Sequence, residues 1–122
     1  RLLDQVSHPT HYHGRRVRAL RIGDPHDLAL LQAVSRGEFA TAGFRNRDLR
    51  CLLCSASAAS VVEARRLTAK VTRQLRLLRA HGVIQKIPKT HRYKLTPKGH
   101  LLTAALFAAR HATLSQLIGH AA

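Results

Sequence analysis

The chain has no methionine and no tryptophan, and only two cysteines and six acidic residues among its 122. Without methionine, residue 1 is not a natural start, so the sequence is expected to come from a longer protein or a processed one. Two cysteines are too few for a disulfide scaffold, and a reducing cytosol is the simpler setting. No apolar run approaches the roughly 20 residues that span a bilayer. No secretory signal is recognisable either. Carboxylate-based catalysis has little to work with. Asp24, Asp48 and Glu63 already have helix-cap or first-turn roles. There is no G-x-S-x-G, no phosphate-binding glycine loop and no Cys–His pair with a convincing third partner. Neither an enzyme nor a cofactor is expected.

What the chain has instead is positive charge. Twenty-one Lys and Arg give a formal charge of +15. Such an excess repels itself unless a polyanion is the usual neighbour. No acid follows Glu63, and the 59 residues after it carry twelve Lys and Arg. The apolar content, 45%, is enough for one domain with a core.

Residues 1–23 are read as an N-terminal segment, a strand or a linker from a longer protein, with Val17 to Ile22 the candidate strand. Residues 24–122 are read as the domain. Asp24-Pro25 is a helix start, with the carboxylate capping free amides and the proline at the first helical position. Leu28, Leu31 and Val34 recur at helical spacing up to a stop at Gly37, which predicts a helix over 25–36. Asn46 caps a second helix over 47–54, with Leu49, Leu52 and Leu53 on its buried side. Residues 55–60 are read as a loop. Ser60-Val-Val-Glu63 is a capping box, and the helix after it runs to His81, either straight or kinked near Thr68. Ala64, Leu67, Val71, Leu75 and Leu78 form one narrow apolar arc on it. Gly82 ends it in a left-handed turn. Val83–Ile87 and Arg92–Leu95 are two short strands around a tip at residues 88–91. Thr96-Pro97 starts a last helix towards Leu117.

The arc opposite the apolar stripe holds Arg66, Ala69, Arg73, Arg76 and Ala80. A face built for solubility usually mixes charge signs, because acid–base pairs four apart support a helix. This arc has no acid after Glu63, so contact with a polyanion is preferred over a merely solvated face. Arginine's planar fork matches both guanine O6/N7 and phosphate. Lys70, Thr72 and Gln74 flank the arc. Lys86, Lys89, Arg92 and Lys94 are hairpin cations suited to phosphates or a minor groove, with Thr90 and His91 completing the tip. Arg45, Asn46 and Arg47 sit at a helix start, another phosphate site. Cys51 and Cys54 are either half of a zinc motif or two small buried side chains, and the second is preferred. His8, His11 and His13 are spaced closely enough to chelate. No metal site is expected from either group.

VTRQLRLLRAHGVI, a basic hairpin and LTPKG together resemble the winged helix-turn-helix domain of MarR- and ArsR-type regulators. The matching positions are Thr68, Val71, Thr72, Arg73, Leu75, Leu78, Gly82, Val83, Thr96 and Gly99. The resemblance covers about the last third of the chain. It implies that Thr68 to Arg79 reads DNA and that Lys86 to Lys94 is the wing. The chain is also similar to an uncharacterised bacterial family in RRVRALRIGDP (15–25), GFRNRDLR (43–50) and RQLRLLRAHGVIQKIPKTHRY (73–93). The expected fold is mainly α with a small β-hairpin (α+β), a winged helix-turn-helix. The expected function is binding of double-stranded DNA, as a transcription regulator or as the DNA-binding part of a larger protein. The location expected is the cytoplasm, at the nucleoid if the source is bacterial, with no membrane partner. An RNA-binding protein of ribosomal type is the alternative, and a protein-interaction module is a third. Apolar residues on more than one side of the last helix lead to an expected homodimer through that helix.

Overall fold

The computed structural model describes residues 2–21, 23–53 and 60–121. The order is α1 (Leu2–Val6), β1 (Thr10–Tyr12), β2 (Arg15–Val17), α2 (Pro25–Val34), a 3-10 turn (Gly37–Phe39), α3 (Asn46–Leu53), α4 (Val61–Ala80), β3 (Ile84–Lys86), β4 (Tyr93–Leu95) and α5 (Pro97–Ala121). The fold is mainly helical, with two small antiparallel hairpins, β1–β2 and β3–β4. The predicted loop at 55–59, together with Cys54, lies outside the described residues.

Local chemistry accounts for most of the boundaries. Asp24 accepts the His26 amide at 2.7 Å ahead of Pro25 and so starts α2. The helix stops at Val34 rather than residue 36, because Arg36 is already extended. Gly37 opens the 3-10 turn instead of ending the helix. The start of α3 also differs from expectation. Asp48 reaches back to the Arg45 amide at 2.7 Å, so the turn closes without the Asn46 side chain. Ser60 caps α4 through the Glu63 amide at 3.1 Å, and α4 runs unbroken from Val61 to Ala80. Its end is a Schellman turn: Val83 N donates to Leu78 O, Gly82 N donates to Arg79 O, and Gly82 takes a φ of 71°.

The apolar arc of α4 is buried as the periodicity predicts. Val71, Leu75 and Leu78 lie in a core with Leu30, Leu31, Phe44, Leu49, Val83 and Leu102. Phe44 also pairs with Tyr93 in both directions at 2.8 Å, an isolated antiparallel bridge beside β4. Thr96 and Gly99 fix α5 against this unit. Thr96 donates to the carbonyl of Gly82 and accepts the Gly99 amide at 2.9 Å. A Cβ on Gly99 would overlap the Val83 carbonyl, so only glycine lets α5 approach this closely. Two apolar positions depart from expectation, since Leu52 and Cys51 are exposed on α3. On α5, Leu102 and Leu106 enter the core and Phe107 packs against it, while Leu101 stays 62% exposed.

The N-terminal segment is not a linker. Val6 and Leu20 are buried in the same core, and Leu20 N donates to Val6 O at 2.8 Å. The strand found here is Arg15–Val17, which pairs with Thr10–Tyr12, and it does not continue through Arg18–Arg21; Ile22, the end of the expected strand, lies outside the described residues. His13 and Gly14, both at positive φ, make the two-residue turn. An ion pair ties this segment to α2. Asp27, 4% exposed, accepts from both terminal nitrogens of Arg18 at 2.8 Å and from the Arg21 amide at 2.7 Å. Burial alone would raise the Asp27 carboxyl, but the Arg18 fork and the Arg21 amide outweigh it and hold the group below its ordinary 3.8. A depressed carboxylate contributes stability above its unfolded value, and that stability is lost as pH falls through the folded value. Unfolding monitored from pH 6 to 2 is therefore expected to show stability falling off below about pH 3.8, with a flatter acid limb for Asp27→Asn. At neutral pH Asp27→Asn should cost about 1–3 kcal/mol, moderated because Arg18 is half-exposed.

Candidate nucleic-acid interface

Burial of Val71, Leu75 and Leu78 turns the opposite side of α4 outward. On its N-terminal two-thirds this side is bare. Arg65, Arg66, Ala69, Lys70, Thr72 and Arg73 are all exposed. Ala69 sits near the middle of the arc, and the cations stand around it. Glu63, in the first turn, is the sole acid on α4. Arg65 was not singled out from the sequence. It lies one turn before Ala69, and that spacing places it on the same arc.

The C-terminal third of α4 is covered, which changes the part played by Arg76. The β1–β2 hairpin lies over it. Arg76 donates to the Tyr12 carbonyl at 3.4 Å, and its guanidinium stands 5.9 Å from the Tyr12 ring. Arg79 lies near two rings, 5.5 Å from Tyr12 and 5.8 Å from Tyr93. His81 is buried and holds the Arg18 carbonyl through Nε2 at 2.8 Å. Arg76 is thus a half-buried anchor for the hairpin rather than part of the open arc. Leu77 is buried here too, sharing a cleft with Val17.

Several predicted contact residues work inside the fold. Asn46 donates to Thr72 Oγ1 at 3.2 Å and to the Thr68 carbonyl at 3.4 Å. Arg50 donates to Thr68 Oγ1 at 3.1 Å. Both threonines also donate to the carbonyl four residues back, Thr68 to Ala64 and Thr72 to Thr68. The bonds from Asn46 and Arg50 tie α3 to α4, and the two threonine bonds to carbonyls lie within α4. Thr68 is half-buried, as is Gln74, whose Oε1 is enclosed with no partner. Arg45 and Arg47, at the start of α3, are exposed and not part of these bonds.

In the second hairpin, Lys86, Lys89 and His91 are exposed. Pro88 and Lys89, the latter at a φ of 62°, form the tip. Thr90 is used within the tip: its hydroxyl donates to the Ile87 carbonyl at 2.8 Å and accepts the Arg92 amide at 3.0 Å. Arg92 is half-buried. Lys94 alternates with Tyr93 and lines a groove with Ser35, Arg36 and Gln85, on the α2 side. It is therefore turned away from the strand face that meets Arg79. Lys86 is registered opposite Tyr93 and shares that face.

Among the described residues, no three His, Cys, Asp or Glu side chains gather where a metal ion could sit. None of the described helices is long and apolar enough to cross a membrane. Comparison with protein-family models, with curated proteins and with solved structures finds no match to this chain.

The division of labour along α4 is open to direct measurement. In urea unfolding, Asn46→Ala should lower stability by about 1 kcal/mol, through its lost bonds to Thr68 and Thr72. Arg66→Ala and Lys70→Ala, on the bare arc, should each stay within about 0.5 kcal/mol of the parent. Equal losses from all three would mean that the arc is part of the fold's own support.

Proposed function

We propose that the chain is a winged helix-turn-helix domain that binds duplex DNA, serving as a transcription regulator or as the DNA-binding part of a larger protein. The observation that carries this is the bare cationic arc of α4: Arg65, Arg66, Lys70 and Arg73 around Ala69. The element order supports it. A helix (α2), an isolated bridge at Phe44, two helices tied by Asn46 and Arg50 (α3 and α4) and a basic hairpin follow each other in the order expected of a winged helix. In this reading α4 enters the major groove by its uncovered half. Ala69 permits close approach, and Arg66 and Arg73 have the planar fork that recognises guanine. Arg45 and Arg47 at the start of α3, and Lys86 and Lys89 in the hairpin, take backbone phosphates on either side. The homodimer remains part of the proposal, with a second copy packing on the exposed Leu101 of α5. Its test is sedimentation at moderate salt, where a strict monomer would remove it.

The test of the function is the salt dependence of duplex binding. If about 5 to 7 phosphates are neutralised, log K against log salt should slope at roughly −4.5 to −6. A slope shallower than about −2 would remove the basic face as the contact surface. Arg73→Ala should narrow the gap between preferred and unrelated sequences by about 1–3 kcal/mol. Lys89→Ala should weaken all duplexes alike. Equal, sequence-blind losses from both variants would take base reading away from Arg73.

A further inference from the structure

We infer that the β1–β2 hairpin is a second backbone-gripping arm, and that the cleft between β2 and α4 receives a phosphate of the nucleic-acid strand. The inference rests on the duplex-binding reading above and adds a site to it. The cleft, about 540 Å³, is lined on one wall by Arg16, Arg18 and His26 and on the other by Lys70, Arg73 and Arg76. Asp27 is its one acid, and both its oxygens are taken up by Arg18 and the Arg21 amide. Arg76 is held by the Tyr12 carbonyl. The Lys and Arg side chains left to meet an anion are Arg16, Lys70 and Arg73, all exposed, and the His26 ring is exposed on the same wall as Arg16. Two of these three belong to the bare arc of α4, so the cleft continues the same surface. Arg15, next to Arg16 on the same strand, is exposed as well.

The hairpin is held in place for this task. Tyr12 lies against Arg76 and Arg79, the Arg18 carbonyl is fixed by His81, and Leu20 anchors in the core. A strand pinned this way presents Arg16 without a large ordering cost on binding, which favours contact over a free tail. Cations on both walls of the cleft suit a phosphodiester oxygen, since an arginine can donate two parallel bonds. The β3–β4 hairpin also reaches Arg79, through Tyr93. Two basic hairpins therefore meet the covered end of α4 at Arg79.

The test measures binding of a fluorescently labelled mixed-sequence duplex over a salt series. The proteins are the parent, Arg16→Gln, Tyr12→Ala, Tyr12→Phe, and Arg110→Gln as a charge-matched control on α5. Thermal melts accompany each to confirm folding. Arg16→Gln should bind several-fold more weakly, with a slope shallower by about 1, the signature of one lost phosphate contact. Arg110→Gln should leave the slope unchanged. Tyr12 acts as a positioning residue, so Tyr12→Ala should reproduce the shallower slope and Tyr12→Phe should restore it. If the parent binds duplex DNA and Arg66→Ala weakens it, but Arg16→Gln matches Arg110→Gln, the second arm is overturned and the function stands. If the parent does not bind duplex DNA, both fall. Dependence on Arg16 with a folded RNA hairpin but not with the duplex would overturn the inference in favour of an RNA contact.

Discussion

Burying Val71, Leu75 and Leu78 along one stripe of α4 is the constraint on which the rest of the structure depends. A helix that sinks one stripe into a core must present the opposite one elsewhere. In this chain the opposite stripe is cationic. Its like charges gain nothing from each other, and they weaken the isolated helix slightly. The fold tolerates this because the apolar side of α4 is tied down along its length. Asn46 and Arg50 hold it to α3, the Schellman turn at Gly82 closes its end, and Thr96 and Gly99 press α5 against that turn. The charge is thus held outward by contacts that do not themselves involve the charges.

The same helix is treated differently at its two ends. Arg65, Arg66, Ala69, Lys70 and Arg73 in its N-terminal part are exposed, whereas among the described residues its C-terminal part is roofed by the β1–β2 hairpin. Arg79 shows the difference most clearly, with its guanidinium near both the Tyr12 and the Tyr93 rings. A guanidinium near two aromatic faces is attracted to both, by about 0.5–1 kcal/mol each at partly exposed sites. Behind the hairpin, the Arg18–Asp27 fork joins the N-terminal segment to α2. The β1–β2 and β3–β4 hairpins therefore meet on α4, although they are far apart in sequence.

The local signals in the sequence were largely legible. Asp24-Pro25, Ser60-x-x-Glu63, Gly82 and Thr96-Pro97 each encode a bond within a few residues, and each does what its spacing suggests. The apolar arc of α4 was legible for the same reason, as a period. What could not be read was non-local. Nothing near His13-Gly14 announces a hairpin, because its strands are three residues long and the turn is not of the Asn-Gly kind. Arg76 shares the arc by angle and is covered only because Tyr12, sixty-four residues earlier, folds over it. Asn46 was expected to cap α3, and Thr68, by the resemblance, to begin the stretch that reads DNA. Their bonds run between helices, across twenty-two residues for Asn46 and eighteen for Thr68. Arg65 was legible in principle, one turn from Ala69, but lies towards the edge of the arc drawn from the sequence.

The central claim is that the bare arc of α4 is shaped for the major groove of B-form DNA. A-form RNA offers no groove that such a helix can enter. The most direct measurement is a parallel titration of one preparation with duplex DNA, single-stranded DNA and structured RNA at a single salt concentration. The account predicts that duplex DNA binds tightest and that an Arg66→Ala, Arg73→Ala double variant loses this preference. Tighter binding of structured RNA, or a preference that survives the double variant, would contradict it.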